Sequence, residues 1–272
     1  MSAVPSPHRL SILGVLRDTL RIPAQHWREF LKPLALPALA IAVLTLGWQL
    51  TRSQMPAISV WVILAFYGAG LTVLAVACHR LVLLGPTAST LKPSLRWGAR
   101  ETRFLGWLLV LGVIYAVVHL AVVLLILNFG ALSSFVRAMS DQQGSSMPDM
   151  GWLRPAEYIG LLVSTYLVAR LSLVLPATAL DAKASFRLAW QQSARNGWRL
   201  LVIVGAFPWV LSRGLGLLSR SGATLAEWAI LTLLSVIVST LGIIALSLSY
   251  QDLTSGANEA DQPRRVAVPK ID

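Results

Sequence analysis

Uncharged apolar runs of membrane-crossing length recur along the chain, and charged segments separate them. The first lies between Lys32 and Arg52, where residues 33–51 carry no charge; at about 1.5 Å per residue such a run reaches close to 30 Å as a helix, the thickness of a bilayer core. Further runs cover 57–79, 104–127, 158–174, 200–218 and 228–250. Six transmembrane helices are therefore predicted. The stretch from Asn128 to Glu157 is rich in polar and helix-breaking residues and reads as the longest external loop. Residues 254–272 read as a disordered tail.

Three charged segments repeat apolar residues at helical spacing, the pattern of helices lying in the membrane interface. In the first, Leu13, Leu16 and Leu20 oppose Arg17, Asp18 and Arg21. The second, Ser94 to Arg103, sets Leu95 and Trp97 beside Arg96, Arg100 and Arg103. In the third, Phe186, Ala189, Trp190 and Ala194 oppose Arg187, Gln191 and Arg195, with Asp181 available as a helix cap. The alternative is that these segments are the first turns of tilted spans.

Charge gives the arrangement an orientation. Of the 23 lysines and arginines, 18 fall on the side of both termini and 5 on the other, which predicts cytoplasmic N- and C-termini and an even span count. Tryptophans agree: Trp27, Trp97, Trp107, Trp190 and Trp198 fall near the inner boundary and Trp48, Trp61, Trp152 and Trp228 near the outer, leaving Trp209 in mid-span.

Composition supports a membrane class, with 56% hydrophobic and 13% charged residues among 272 and a mean hydropathy of +0.67. The net charge of +11 would suit nucleic acid, but its placement beside apolar runs favours anionic lipid instead. Five basic residues and Pro23 precede the first long apolar run, so no secretory signal is expected. The lone Cys78 excludes an internal disulfide and reads as a packing residue.

The stretch from Arg80, RLVLLGPTASTLKPSLRWGARETRFLGWLL, aligns with that from Arg170, RLSLVLPATALDAKASFRLAWQQSARNGWRLL, through one single-residue gap. Each begins at a span end, reaches a proline six residues on (Pro86, Pro176), and leads into the next span through Gly-Trp (Gly106-Trp107, Gly197-Trp198). With a more diverged first copy, the chain reads as three membrane hairpins, each preceded by an interfacial helix. On LVLPATALD, SFRLAWQQS and NGWRLL between Arg170 and Leu201, plus the final SLSYQDLTSG, the chain resembles the YciC-like group of bacterial inner-membrane proteins and the related glycerophosphoryl diester phosphodiesterase membrane domain. The resemblance implies a six-span helical protein of the inner membrane and transfers no active site, since the phosphodiesterase chemistry of fused members belongs to a separate soluble domain.

Candidate chemistry is sparse. None of the 12 acidic residues lies inside a predicted span, which disfavours ion-coupled transport. His119 stands about 22 Å into the third span, one turn from Tyr115, and is expected to bond Thr165 or Tyr166 across helices rather than relay protons. His79, Arg80 and Arg170 occupy equivalent span ends, where they could clamp an anionic headgroup or solute, or snorkel to fix helix depth. Gly68, Ala69, Gly70, Gly214 and Gly216 suit close helix packing. No catalytic or phosphate-loop constellation occurs in credible spacing, and neither a metal nor a cofactor is expected. The expected function is thus a non-enzymatic membrane component engaging lipids or membrane partners. A small-solute carrier would instead show a polar cavity between repeats, and a membrane-embedded enzyme would bring His79, His119 and a carboxylate together.

Overall fold

A computed structural model describes residues 9–51, 57–85, 97–140, 153–218 and 224–258, and those residues are helical with no strand among them. In chain order the helices are α1 (Ile12–Gln25), α2 (Trp27–Thr51), α3 (Ala57–Leu84), α4 (Ala99–Ser140), α5 (Leu153–Leu171), α6 (Val174–Ala179), α7 (Phe186–Gln192) and α8 (Gly197–Leu200). A π-helical turn at Leu201–Ala206 joins α8 to α9 (Phe207–Leu218), and α10 covers Leu225–Asn258.

Five stretches are long and apolar enough to cross a membrane: Val60–Leu84, Ala99–Phe129, Pro155–Ala179, Gly197–Leu218 and Ala226–Ser255. This is the make-up of a multi-pass membrane protein. The predicted run 33–51 falls in α2, whose described apolar part, Leu34–Trp48, is shorter than these five.

Several boundaries differ from the sequence reading. α4 continues to Ser140, into residues read as loop, and α10 continues through 254–258; an α-helix satisfies its own backbone whether its side chains meet lipid or water, so it does not stop where hydropathy falls. Residues 259–272, assigned to the tail, lie outside the described residues. The fourth span does not end at 174 but bends at Ser172 and Leu173 and runs on through α6.

Of the three interfacial segments, two are separate helices, α1 and α7, and the second is not. Its described part, from Ala99 on, is the first turn of α4, and its residues 94–96 lie outside the described region. The cause is a cap: the Glu101 carboxylate accepts the Gly98 N–H at 2.9 Å, the N3 half of a capping box, which starts a continuous helix there. α7 is capped by Ser185, whose Oγ accepts the Leu188 N–H at 3.3 Å, and not by Asp181.

Packing is concentrated at one end of the bundle. Val76, Phe104, Leu173–Leu175, Leu200, Ile203, Ala245 and Leu246 form a core into which α1 inserts Val15, while Phe30, Ile41, Leu74, Cys78 and Ile244 form a second one. Away from this end the helices present apolar side chains outward. On α4, Leu109, Val113, Val117, Leu120 and Leu124 are exposed at helical spacing, and only 6% of its most apolar window is buried. Such a stripe needs lipid around it, since water would not tolerate that area.

Close approaches between helices use other glycines than most of those the sequence marked. Gly70 does pack on Ile41, but Gly68, Gly214 and Gly216 face open space. The tight positions are Gly160 against His119, Gly197 against Tyr166, Gly205 against Thr165 and Gly242 against Pro208. Pro208, which lacks an N–H and crowds the preceding turn, follows directly on the π-turn that widens the helix there.

Candidate functional site

Helices α4 and α5 run antiparallel, with Gly160 opposite His119. The same register carries the end of α6 to the first turn of α4. There α6 closes in a Schellman motif: the Asp181 N–H donates to Thr178 O at 3.1 Å and the Ala182 N–H to Ala177 O at 2.9 Å. The first of these donors is left-handed, with φ of 58° at Asp181. Glycine is usual at that position, and an L-residue costs about 1 kcal/mol more, least for Asp and Asn.

The Asp181 carboxylate bridges two arginines. Arg100 donates from Nε at 2.8 Å and from Nη2 to Oδ2, and Arg103 Nη2 donates to Oδ1 at 2.9 Å. Arg80 donates from Nη1 to Ala179 O at 3.1 Å, satisfying a carbonyl that the helix end leaves open, where the helix dipole favours a cation. Glu101, buried beside Arg100, is committed to the Gly98 N–H.

Next to this cluster opens a cleft of about 660 Å³, lined by Arg103, Asp181 and Lys183 and by Gly106, Trp107 and Val110. Its volume lies in the range of small-ligand sites. One part of the lining is charged and the other apolar, with Trp107 held edge-on against Phe186 at 4.8 Å. No ion pair engages Lys183 among the described residues. Arginine forks and a lysine match phosphate oxygens, and the adjoining apolar wall matches an acyl chain.

The residues singled out from sequence take different places. Arg80 lies beside the cluster, as above. His79 is 1% exposed and its Nδ1 lies 2.7 Å from Ser247 Oγ, a hydroxyl that also lies within hydrogen-bond distance of Ile243 O. That bond fastens α3 to α10. Arg170 stacks 3.4 Å over Trp190 and donates to Ser193 Oγ at 2.9 Å and Trp190 O at 3.0 Å, fastening α7 to α5. Arg80 and Arg170, which the sequence alignment pairs, thus have unlike partners.

His119 stacks on Tyr115 with ring centroids 5.9 Å apart and 3° between planes. It bonds neither expected partner: Thr165 packs on Gly205 and Tyr166 on Gly197, and the buried His119 Nδ1 has no hydrogen-bond partner. Gly160 rather than Thr165 stands opposite His119, and the two positions are about 7.5 Å apart along α5. Asp181, Arg103 and Lys183 were missed as site residues because their proximity depends on that register. No group of three His, Cys, Asp or Glu side chains able to hold a metal occurs among the described residues.

The bridge has a pH signature. The Arg100 hydrogen bond, helped by the charges of Arg100, Arg103 and Arg80, holds the Asp181 carboxyl below its usual pKa. Because the folded-state value is depressed, the bridge contributes fully above the unfolded carboxylate range and is lost as pH falls through the folded value. Melting curves in detergent between pH 7 and 3 should show Asp181→Asn losing less stability on acidification than the wild type; parallel curves would mean the bridge contributes nothing. The effect is small, since Asp181 is 40% exposed.

Compared with known proteins, the chain matches no family model, no curated protein and no solved structure.

Proposed function

We propose that this protein is a six-span, non-enzymatic component of a bacterial inner membrane whose cleft beside α4 and α6 seats the phosphate-bearing headgroup of an anionic lipid. The observation that carries the reading is the cleft itself, where Arg103 and Lys183 stand beside Trp107 and Val110 at the arginine-rich helix ends. The asymmetry of basic residues supports a cytoplasmic position for that end and both termini, where the leaflet surface is anionic. The likeness to the YciC-like group supports the same topology, with α2 supplying the sixth span. A non-enzymatic role is supported by the state of the nearby carboxylates: Asp181 is held by two arginines and Glu101 by a helix cap, so neither is poised as a general acid or base.

Native mass spectrometry of detergent-purified wild type and the Arg103→Gln, Lys183→Gln double variant tests the reading. Each cation near an anionic surface contributes about 1 kcal/mol, so the variant should retain anionic lipid roughly tenfold or more less well, with zwitterionic lipid unchanged. Equal retention by both proteins would overturn the proposal.

A further inference from the structure

We infer that the Asp181 carboxylate is a displaceable internal stand-in for the ligand's phosphate, holding Arg100 and Arg103 aligned and yielding them to a phosphomonoester headgroup. The inference rests on the headgroup reading of the cleft and adds to it a ligand class and a means of control.

Three observations lead to it. First, the carboxylate is itself an anion bound by an arginine pair at the cleft: Arg100 reaches Oδ2 through two nitrogens and Arg103 reaches Oδ1. A phosphate offers the same acceptor pair and a further oxygen for Lys183, which lines the cleft. Second, the bridge is accessible, with Asp181 40% and Arg103 59% exposed, so water can replace either partner during exchange and the pair is not locked by burial. Third, Asp181 sits in a left-handed conformation that its Schellman position assigns to glycine. Helix termination alone does not call for a carboxylate here; the arginines do.

Charge selects the ligand. Four cations, Arg80, Arg100, Arg103 and Lys183, stand in and around the cleft against Asp181 and Glu101. Glu101 is buried and committed to the Gly98 N–H, so Asp181 is the anion free to move. A phosphomonoester, with close to two negative charges near neutral pH, replaces the one charge that Asp181 withdraws and also meets Lys183. A phosphodiester brings one charge and leaves Lys183 unmet.

The test uses the full chain in nanodiscs of phosphatidylcholine doped with phosphatidic acid, a phosphomonoester, or with phosphatidylglycerol, a phosphodiester. Bound lipid is read by native mass spectrometry. Removing the internal anion should raise phosphatidic acid retention: Asp181→Asn is expected to hold it roughly fivefold more tightly than wild type, one charge's worth at a membrane surface. Arg103→Gln should hold it less well, and wild type should prefer phosphatidic acid to phosphatidylglycerol. Asp181→Gly, which suits the left-handed backbone, must behave like Asp181→Asn and serves if the latter folds poorly. If Arg103→Gln weakens binding while both Asp181 variants bind as wild type or worse, the exchange is wrong and the headgroup reading survives. If no protein distinguishes either anionic lipid from phosphatidylcholine, both fail. Displacement of the lipid by millimolar inorganic phosphate would make soluble phosphate the source, and the Asp181 variants must then bind phosphate more tightly than wild type or the exchange is overturned.

Discussion

Replacing Gly205 by leucine is expected to abolish most folded protein. Gly205 lies in the π-turn, and a Cβ built there stands 2.5 Å from Thr165 Cγ2, inside any real contact distance. The β-branched Thr165 has few rotamers with which to withdraw, and the neighbouring core at Ile203 and Leu200 is fully buried. Over-packing of this kind costs about 1–3 kcal/mol for a few methylenes, and leucine asks for more, against a total stability of about 5–15 kcal/mol. Thermal melting in detergent should place Gly205→Ala well below wild type and Gly205→Leu lower still. Thr165→Ala should return much of the loss in Gly205→Ala, because it removes the methyl that the new Cβ meets. Wild-type melting of Gly205→Leu would show that the two helices do not approach there.

Asn196→Ala should release the N-terminal helix. Leu10 is 0% exposed, and both of its backbone groups are held from α8 and its cap: the N–H donates to Asn196 Oδ1 at 3.1 Å, and Arg199 Nη1 donates to the carbonyl. Asn196 is itself 1% exposed. Its truncation leaves a buried N–H unsatisfied, a cost of about 1–3 kcal/mol. Hydrogen exchange across Ile12–Gln25 should quicken by roughly tenfold or more, and trypsin should cut after Arg17 and Arg21 sooner. Exchange confined to its wild-type rate would mean that Val15 and Thr19, not the clamp, hold α1 in place.

α1 shows how far amphipathic pattern carries. The sequence set Leu13, Leu16 and Leu20 on one face, and Leu13 is 81% exposed with Leu20 exposed beside it, as suits a face turned to lipid. Leu16 does pack against the core, beside Ile12, but the most deeply buried positions of α1 are Val15 and Thr19, one apolar and one polar, with the Thr19 hydroxyl donating to Val15 O at 2.7 Å. A hydroxyl bonded back into its helix packs like an apolar group, and a hydrophobicity pattern does not register it. Capping is legible in residues: Thr224 and Glu227 form a reciprocal capping box that starts α10, with bonds of 2.6 Å and 3.3 Å, and a Thr-x-x-Glu ahead of an apolar run is its sequence sign.

By itself the sequence determined the class of the molecule. Long apolar runs can satisfy their backbone in lipid only as helices, so helicity, approximate span positions and the clustering of cations at one set of helix ends follow from local composition. Tertiary structure decided everything that depends on register. The turn at Ser172 and Leu173 carries the fourth span through α6, and the antiparallel alignment with α4 brings Asp181 to Arg100 and Arg103 and sets His119 against Gly160. It also gave Arg80 and Arg170, paired by sequence alignment, a helix end in one case and a tryptophan face in the other. A shift of five residues, about 7.5 Å, exchanges one set of partners for another while leaving hydropathy unchanged, because lipid selects for apolar surface and only packing between helices selects for depth.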